Sequence, residues 1–175
     1  QYTSAVAEPL HAKAHDVTLK ALAQTPDAIL WIAGAGPLEG DLRELAQNLG
    51  VADRVRWLGW RNDAGALYRA ADIVVFPSRF EPLGNVVIQA WAYGKPVIAA
   101  EAAGPKALIR PEEDGLLIPI DDEAALTLAI RRLIDDKALR ARLATAGLVR
   151  AQEVSKAAVL PQWNALFEQL ARERT

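Results

Sequence analysis

The sequence predicts an α/β fold, a single doubly wound domain in which a parallel sheet of five to six strands carries helices on both faces. Three observations predict it. Short runs that are apolar throughout, as strands buried on both sides are, alternate with longer segments of helical period. The 175 residues make about one large domain with a substantial core. Hydrophobic residues at 51%, charged residues at 24% and a formal net charge of -2 describe ordinary globular composition, and no low-complexity tract, internal repeat or long linker divides the chain.

The elements follow in order. A weaker first strand falls at 3–7 (TSAVA), then a helix near 12–24. Strand 28–34 (AILWIAG) leads to a helix near 38–49, with Pro37 where a first helical turn tolerates proline and Gly50 where a left-handed residue ends a helix. Strand 54–59 (RVRWLG) precedes a helix near 63–70, and strand 72–78 (DIVVFPS) precedes one near 83–93 that Gly94 closes. Strand 96–100 (PVIAA), a helix near 104–110 and a weaker strand at 115–120 (GLLIPI) complete the sheet. Three helices remain: 122–134, capped by Asp121 with Asp122; 136–147, ended by Gly147; and a long one from about 153 to 173.

Composition excludes several functions. Without a basic excess, a nucleic-acid partner has no electrostatic support. The absence of cysteine removes disulfides, thiolate metal sites and cysteine nucleophiles, and fits a reducing compartment. His11 and His15 could share a helix face, but two ligands are too few for a metal site, so no metal is expected and solvated or hydrogen-bonding histidines are. No apolar run approaches the ~20 residues that span a bilayer, and the first residues do not resemble a signal peptide, so none is expected here. The chain is therefore expected to be soluble; having no methionine at all, it is expected to be a piece of something longer.

In open α/β sheets ligands bind beyond the carboxyl ends of the strands, so the loops leaving those ends come next. Gly34 and Gly36 in GAGPLEG suggest a dinucleotide fingerprint, but Pro37 follows Gly36 directly and the next strand ends at Gly59 without a carboxylate. A tight strand-to-helix turn lining a pocket is expected instead. FEPLGNVVIQAW (80–91) is more specific. Pro82 fixes φ for a first helical turn, and Gly84 removes a side chain where a ligand would approach the backbone. Free N–H groups there, at the positive end of the helix dipole, favour a phosphate or diphosphate. Glu81 would repel a bare phosphate but could accept hydrogen bonds from the hydroxyls of an attached sugar. Gln89 lies eight residues on, roughly 12 Å along a helix, about the distance from sugar to ribose in a nucleotide-diphosphate sugar. On spacing alone, Glu81 as a simple helix cap and Gln89 as a surface amide are equally open readings.

PSRFEPLGNVVIQAWAYGKPVIAA resembles the segment that marks the retaining GT-B glycosyltransferases of family 4, or group 1: Pro-Ser, a Glu, a Gly, a second Glu eight residues after the first, then a Gly-x-Pro-Val strand. The flanking stretches resemble that family's nucleotide-binding domain in order and spacing. The resemblance implies an enzyme of two Rossmann-like domains facing a cleft, of which this chain is the C-terminal, donor-binding half. The N-terminal acceptor domain would lie outside it, and this half alone would bind its donor weakly without turnover. Nucleotide sugar is the implied partner and donor substrate, with no cofactor; EPLGNVV further resembles members that build lipopolysaccharide or other cell-surface glycans. A cytoplasmic location follows, with peripheral membrane association through the other domain. The final helix would cross back toward that domain, although packing of its apolar stripe (Trp163, Leu166, Phe167, Leu170) on this domain is the simpler expectation.

Residue by residue, the resemblance assigns Glu81 to the donor-sugar hydroxyls as the catalytic carboxylate. Leu83, Gly84, Asn85 and Val86, after Pro82, meet the sugar and diphosphate, and Lys13 neutralises the diphosphate as a point charge. Gly34, Gly36 and Pro37 lie beneath the nucleotide, with Trp60 and Arg61 beside the base. Two departures stand out. Gln89 replaces the second glutamate, leaving a neutral amide to accept from the ribose hydroxyls without charge assistance. VAEPLHAK replaces the usual Gly-Arg-Leu approach to the lysine, so Glu8 or Pro9 stands where a second cation is expected. An inert nucleotide-binding or scaffold domain with a degenerate donor site is the alternative. A nucleotide-sugar 2-epimerase would need further acid/base groups, and Glu81 is the only loop carboxylate to nominate.

Overall fold

A computed structural model gives the fold; it describes the backbone of residues 2–6 and all atoms of residues 11–173. Six strands form one all-parallel sheet: β1 (Tyr2–Val6), β2 (Ile29–Ala33), β3 (Val55–Gly59), β4 (Ile73–Phe76), β5 (Val97–Ala100) and β6 (Leu116–Ile118). Their spatial order is β3-β2-β1-β4-β5-β6. The chain winds outward one way from β1 and the other way from β4, so the topological switch lies between these two neighbours, where doubly wound sheets open a ligand crevice.

All four residues of β4 and of β5 are buried, which is why these strands are apolar without alternation. The pleat still sorts them. Ile73, Val75, Ile98 and Ala100 face one layer, built from α1 (His15–Ala23), α6 (Glu123–Asp135) and α7 (Lys137–Glu153). Val74, Phe76, Val97 and Ala99 face the other, built from α3 (Ala64–Ala70) and α4 (Asn85–Ala92). A third cluster joins α1, β2, β3 and α2 (Glu39–Asn48) through Leu19, Leu22, Leu30, Ile32, Leu42 and Val55. The remaining helices are α5 (Ala103–Leu108) and α8 (Lys156–Glu173).

Gly50 and Gly94 adopt the left-handed conformation expected after α2 and α4. Asp122 caps α6, accepting from the Ala125 amide at 2.8 Å. Gly147 does not end a helix. Helix α7 runs on to Glu153, and Gly147 lies inside it because α4 passes so close that a Cβ there would sit 2.3 Å from Trp91 Cδ1. The glycine serves the contact between two helices, and periodicity within one helix cannot show this. The long terminal segment also divides: α7 stops, and Ser155 starts α8 by accepting from the Ala158 amide.

Helix α8 overturns the expectation of local packing. None of its residues is buried, and Trp163, Leu166, Phe167 and Leu170 are 51%, 42%, 60% and 46% exposed. Among the described residues no helix is long and apolar enough to cross a membrane.

Candidate functional site

The loops leaving β1 and β4 meet at the topological switch. After β1, residues His11–Lys13 form a 3-10 turn, and Ala14 then takes a left-handed conformation (φ 53°) that redirects the chain into α1. Such a conformation is strained for a residue with a Cβ, and the fully buried Ala14 is held in it by the core around it. This sharp turn, in place of the helix expected from residue 12, leaves Lys13 outside α1. Its ammonium lies 2.9 Å from Glu81 Oε2 and 5.5 Å from the centre of the Phe76 ring. Two side chains 68 positions apart are thus brought together, with 24% and 14% of their surfaces exposed.

Glu81 has further partners. Its Oε1 accepts from the Leu83 and Gly84 amides at 3.3 and 3.0 Å. Burial alone would raise the Glu81 carboxyl, but the Lys13 ammonium and these amides hold it below the usual carboxylate range. The helix start differs from the expected one: α4 begins at Asn85, and Pro82 lies in the bend before it. Gly84 is the N-cap residue in a left-handed conformation (φ 85°), so the chain stays non-helical for longer than Pro82 alone would dictate. Two of the amides expected to be open are therefore satisfied by Glu81, whereas those of Asn85 and Val86 make no hydrogen bond to any described residue.

Gly104, at the start of α5, supports this loop from behind. Its amide donates to the Glu81 carbonyl at 2.7 Å, and a Cβ there would lie 2.5 Å from the Leu83 carbonyl carbon. Arg79 supports it from the side. Its guanidinium holds both Asp16 oxygens (2.9 and 2.7 Å), Asp121 (2.6 Å) and the His11 carbonyl (2.7 Å), while its amide donates to the Ala12 carbonyl (2.8 Å). Asp16, which burial would raise, is lowered by these bonds. Arg79 thereby ties the turn carrying Lys13 to the loop carrying Glu81. It stands in plain view in SRFEPLGN, but Asp16 and Asp121 lie 63 and 42 positions away, so the network is invisible without the fold.

Gln89 lies on α4 one turn beyond Asn85, and its amide oxygen accepts from the Tyr68 hydroxyl at 2.9 Å. Tyr68 is fully buried and stacks on Tyr93 with ring centres 5.4 Å apart. Gly34 takes φ 135° and donates to the Gly59 carbonyl at 2.8 Å, while the Gly36 carbonyl accepts from the Glu39 amide. Pro37 lies in the turn before α2, two residues short of its first turn. Trp60, after β3, is 74% exposed, whereas Arg61 is paired with Asp63 by two hydrogen bonds. His11 and His15 line a cavity of about 170 Å³ with Asp16, Leu38, Asp41, Leu42 and Leu45. No group of three or more metal-ligating side chains forms among the described residues. Glu8 and Pro9 lie outside those residues.

Comparison with known proteins adds a family context. The family model described as glycosyl transferases group 1 matches residues 3–150. Two lipopolysaccharide core biosynthesis glycosyltransferases of Rhizobium meliloti (strain 1021) are similar in sequence. LpsE is 38% identical over 135 residues, covering 77% of this chain and 40% of its own length. LpsD is 42% identical over 129 residues, covering 74% of this chain and 38% of its own length. The solved structure of Anabaena Alr3699/HepE in complex with UDP and glucose superimposes with a TM-score of 0.89 at 27% identity, covering 97% of this chain and 48% of that one. The chain thus spans less than half the length of these relatives, and its sheet and helices match one half of a GT-B glycosyltransferase.

Proposed function

The chain belongs to the group 1 glycosyl transferases, and from that premise we propose that it is the donor-binding half of a retaining, family 4 enzyme that transfers a sugar from a nucleotide-diphosphate donor. The observation that carries the reading is the Lys13–Glu81 pair set across the switch between β1 and β4, beside the start of α4. A diphosphate placed there meets the Lys13 ammonium, the open Asn85 and Val86 amides and the positive end of the α4 dipole. Glu81 keeps acceptor capacity for the sugar hydroxyls beside it.

In transfer, the bond from the anomeric carbon to the diphosphate oxygen breaks with its electron pair leaving on the diphosphate. The acceptor oxygen bonds that carbon and passes its proton to the departing diphosphate oxygen, which carries the electron pair of the broken bond. Lys13 and the helix start stabilise the charge that accumulates on the leaving group. The UDP and glucose complex of Anabaena Alr3699/HepE supports a nucleotide-sugar donor, and the LpsE and LpsD names support a product in lipopolysaccharide core synthesis. The acceptor belongs to an N-terminal domain carried by the longer protein, and the apolar stripe of α8 is suited to pack against it.

Titration of the chain with UDP, GDP and ADP, followed by calorimetry and amide NMR, tests the reading. One nucleotide should shift the resonances of residues 81–89 and of Lys13. Silence of that segment toward all three overturns it.

A further inference from the structure

The geometry points to Tyr68 as a positioning residue that fixes the Gln89 amide so that its nitrogen, not its oxygen, meets the ribose of the bound nucleotide. This rests on the nucleotide reading above and adds the polarity of one contact within it. The Tyr68 side chain is fully buried, and its hydroxyl donates to Gln89 Oε1 at 2.9 Å. Burial pushes the phenol up, with the Tyr93 ring neighbour adding to it, so the group stays a protonated donor at neutral pH. The ring cannot easily swing away, being stacked on Tyr93 at an interplanar angle of 6°. With one side of the amide plane committed to α3, the nitrogen side of the exposed Gln89 turns outward, and it has no hydrogen-bond partner among the described residues. Gln89 shares a helix face with Asn85, one turn nearer the crevice. A hydroxyl reaching it meets two N–H donors, where a glutamate would offer acceptors alone.

The test compares a ribonucleotide with its analogues, using whichever of UDP, GDP and ADP binds. The 2′-deoxy and 3′-deoxy forms report whether Gln89 touches a ribose hydroxyl, and the 2′-fluoro and 3′-fluoro forms, which keep only a weak acceptor, report its polarity. In the unmodified chain, one deoxy form should bind about 3- to 10-fold more weakly than the ribonucleotide, the size of one hydrogen bond. The matching fluoro form should lose no more than the deoxy form does. Tyr68→Phe, which retains the stacked ring, should reduce the ribose-to-deoxy ratio to that of Gln89→Ala while leaving deoxynucleotide affinity unchanged. Gln89→Glu should make the fluoro analogue bind about 10-fold or more weakly than the ribonucleotide, because fluorine then faces a carboxylate. An unchanged ratio in Tyr68→Phe, or equal fluoro penalties in the unmodified chain and Gln89→Glu, overturns the proposal while nucleotide binding stands. Absence of binding by all three nucleotides overturns both.

Discussion

The Lys13 ammonium lies 2.9 Å from a Glu81 carboxylate oxygen that shares its carboxyl group with two backbone amide contacts, so one side chain bridges a cation and a helix entrance. A partly exposed ion pair contributes little to folding, and Lys13→Ala is expected to change stability by less than about 1 kcal/mol. On the proposed function, nucleotide affinity should fall about 10-fold or more, since Lys13 there makes a charge-assisted phosphate contact. Urea unfolding and calorimetry on the same protein separate the two effects.

Arg79→Lys should not be conservative. A lysine cannot reproduce the two-pronged grip on Asp16 together with the bonds to Asp121 and the His11 carbonyl. Expected are a loss of about 1–3 kcal/mol and faster amide exchange in residues 11–16, with nucleotide affinity falling alongside. Hydrogen exchange read by NMR checks the local effect.

Acid should loosen the site in a defined direction. The Asp16 and Glu81 carboxyls are both lowered by folding, so the unfolded chain binds more protons and stability rises with pH. Their contribution is complete above the unfolded values near pH 4 and is lost as pH falls through the lower folded values. Urea midpoints measured from pH 6 to pH 2.5 should fall less steeply in Arg79→Ala and Lys13→Ala than in the unmodified chain.

Gly147→Ala offers a reversal of propensity. Alanine favours a helix over glycine by about 1 kcal/mol, yet the added methyl would collide with Trp91 Cδ1 at 2.3 Å. Overpacking should prevail and destabilise the fold by about 1–3 kcal/mol, seen as a lower Tm. By contrast, Phe167→Glu on α8, where the native ring is 60% exposed, should move this chain's stability by no more than about 0.5 kcal/mol.

The sheet was legible because β4 and β5 are apolar at every position and the loops between elements are short; the fully buried strands need no partner to declare themselves. Glu81 and Lys13 were singled out through family resemblance, and the fold brings the two side chains together. The spacing of Glu81 and Gln89 left their roles open, and local sequence placed the start of α4 at Pro82 because it carries the φ preference of Pro82 but not the left-handed state of Gly84. What could not be read were contacts that exist only once layers close: Trp91 against Gly147, Leu83 against Gly104, Tyr68 beneath Gln89. In each, the residue's meaning depends on an element from elsewhere in the chain, and nothing local signals it.

The bare surface of α8 has a kinetic corollary. Without buried side chains, the cooperativity of the sheet does not extend along this helix, and eighteen residues in water sit near the margin for helix formation. Its backbone protons should therefore trade with solvent through fraying, orders of magnitude sooner than those of β4 and β5, which open only when the whole sheet does.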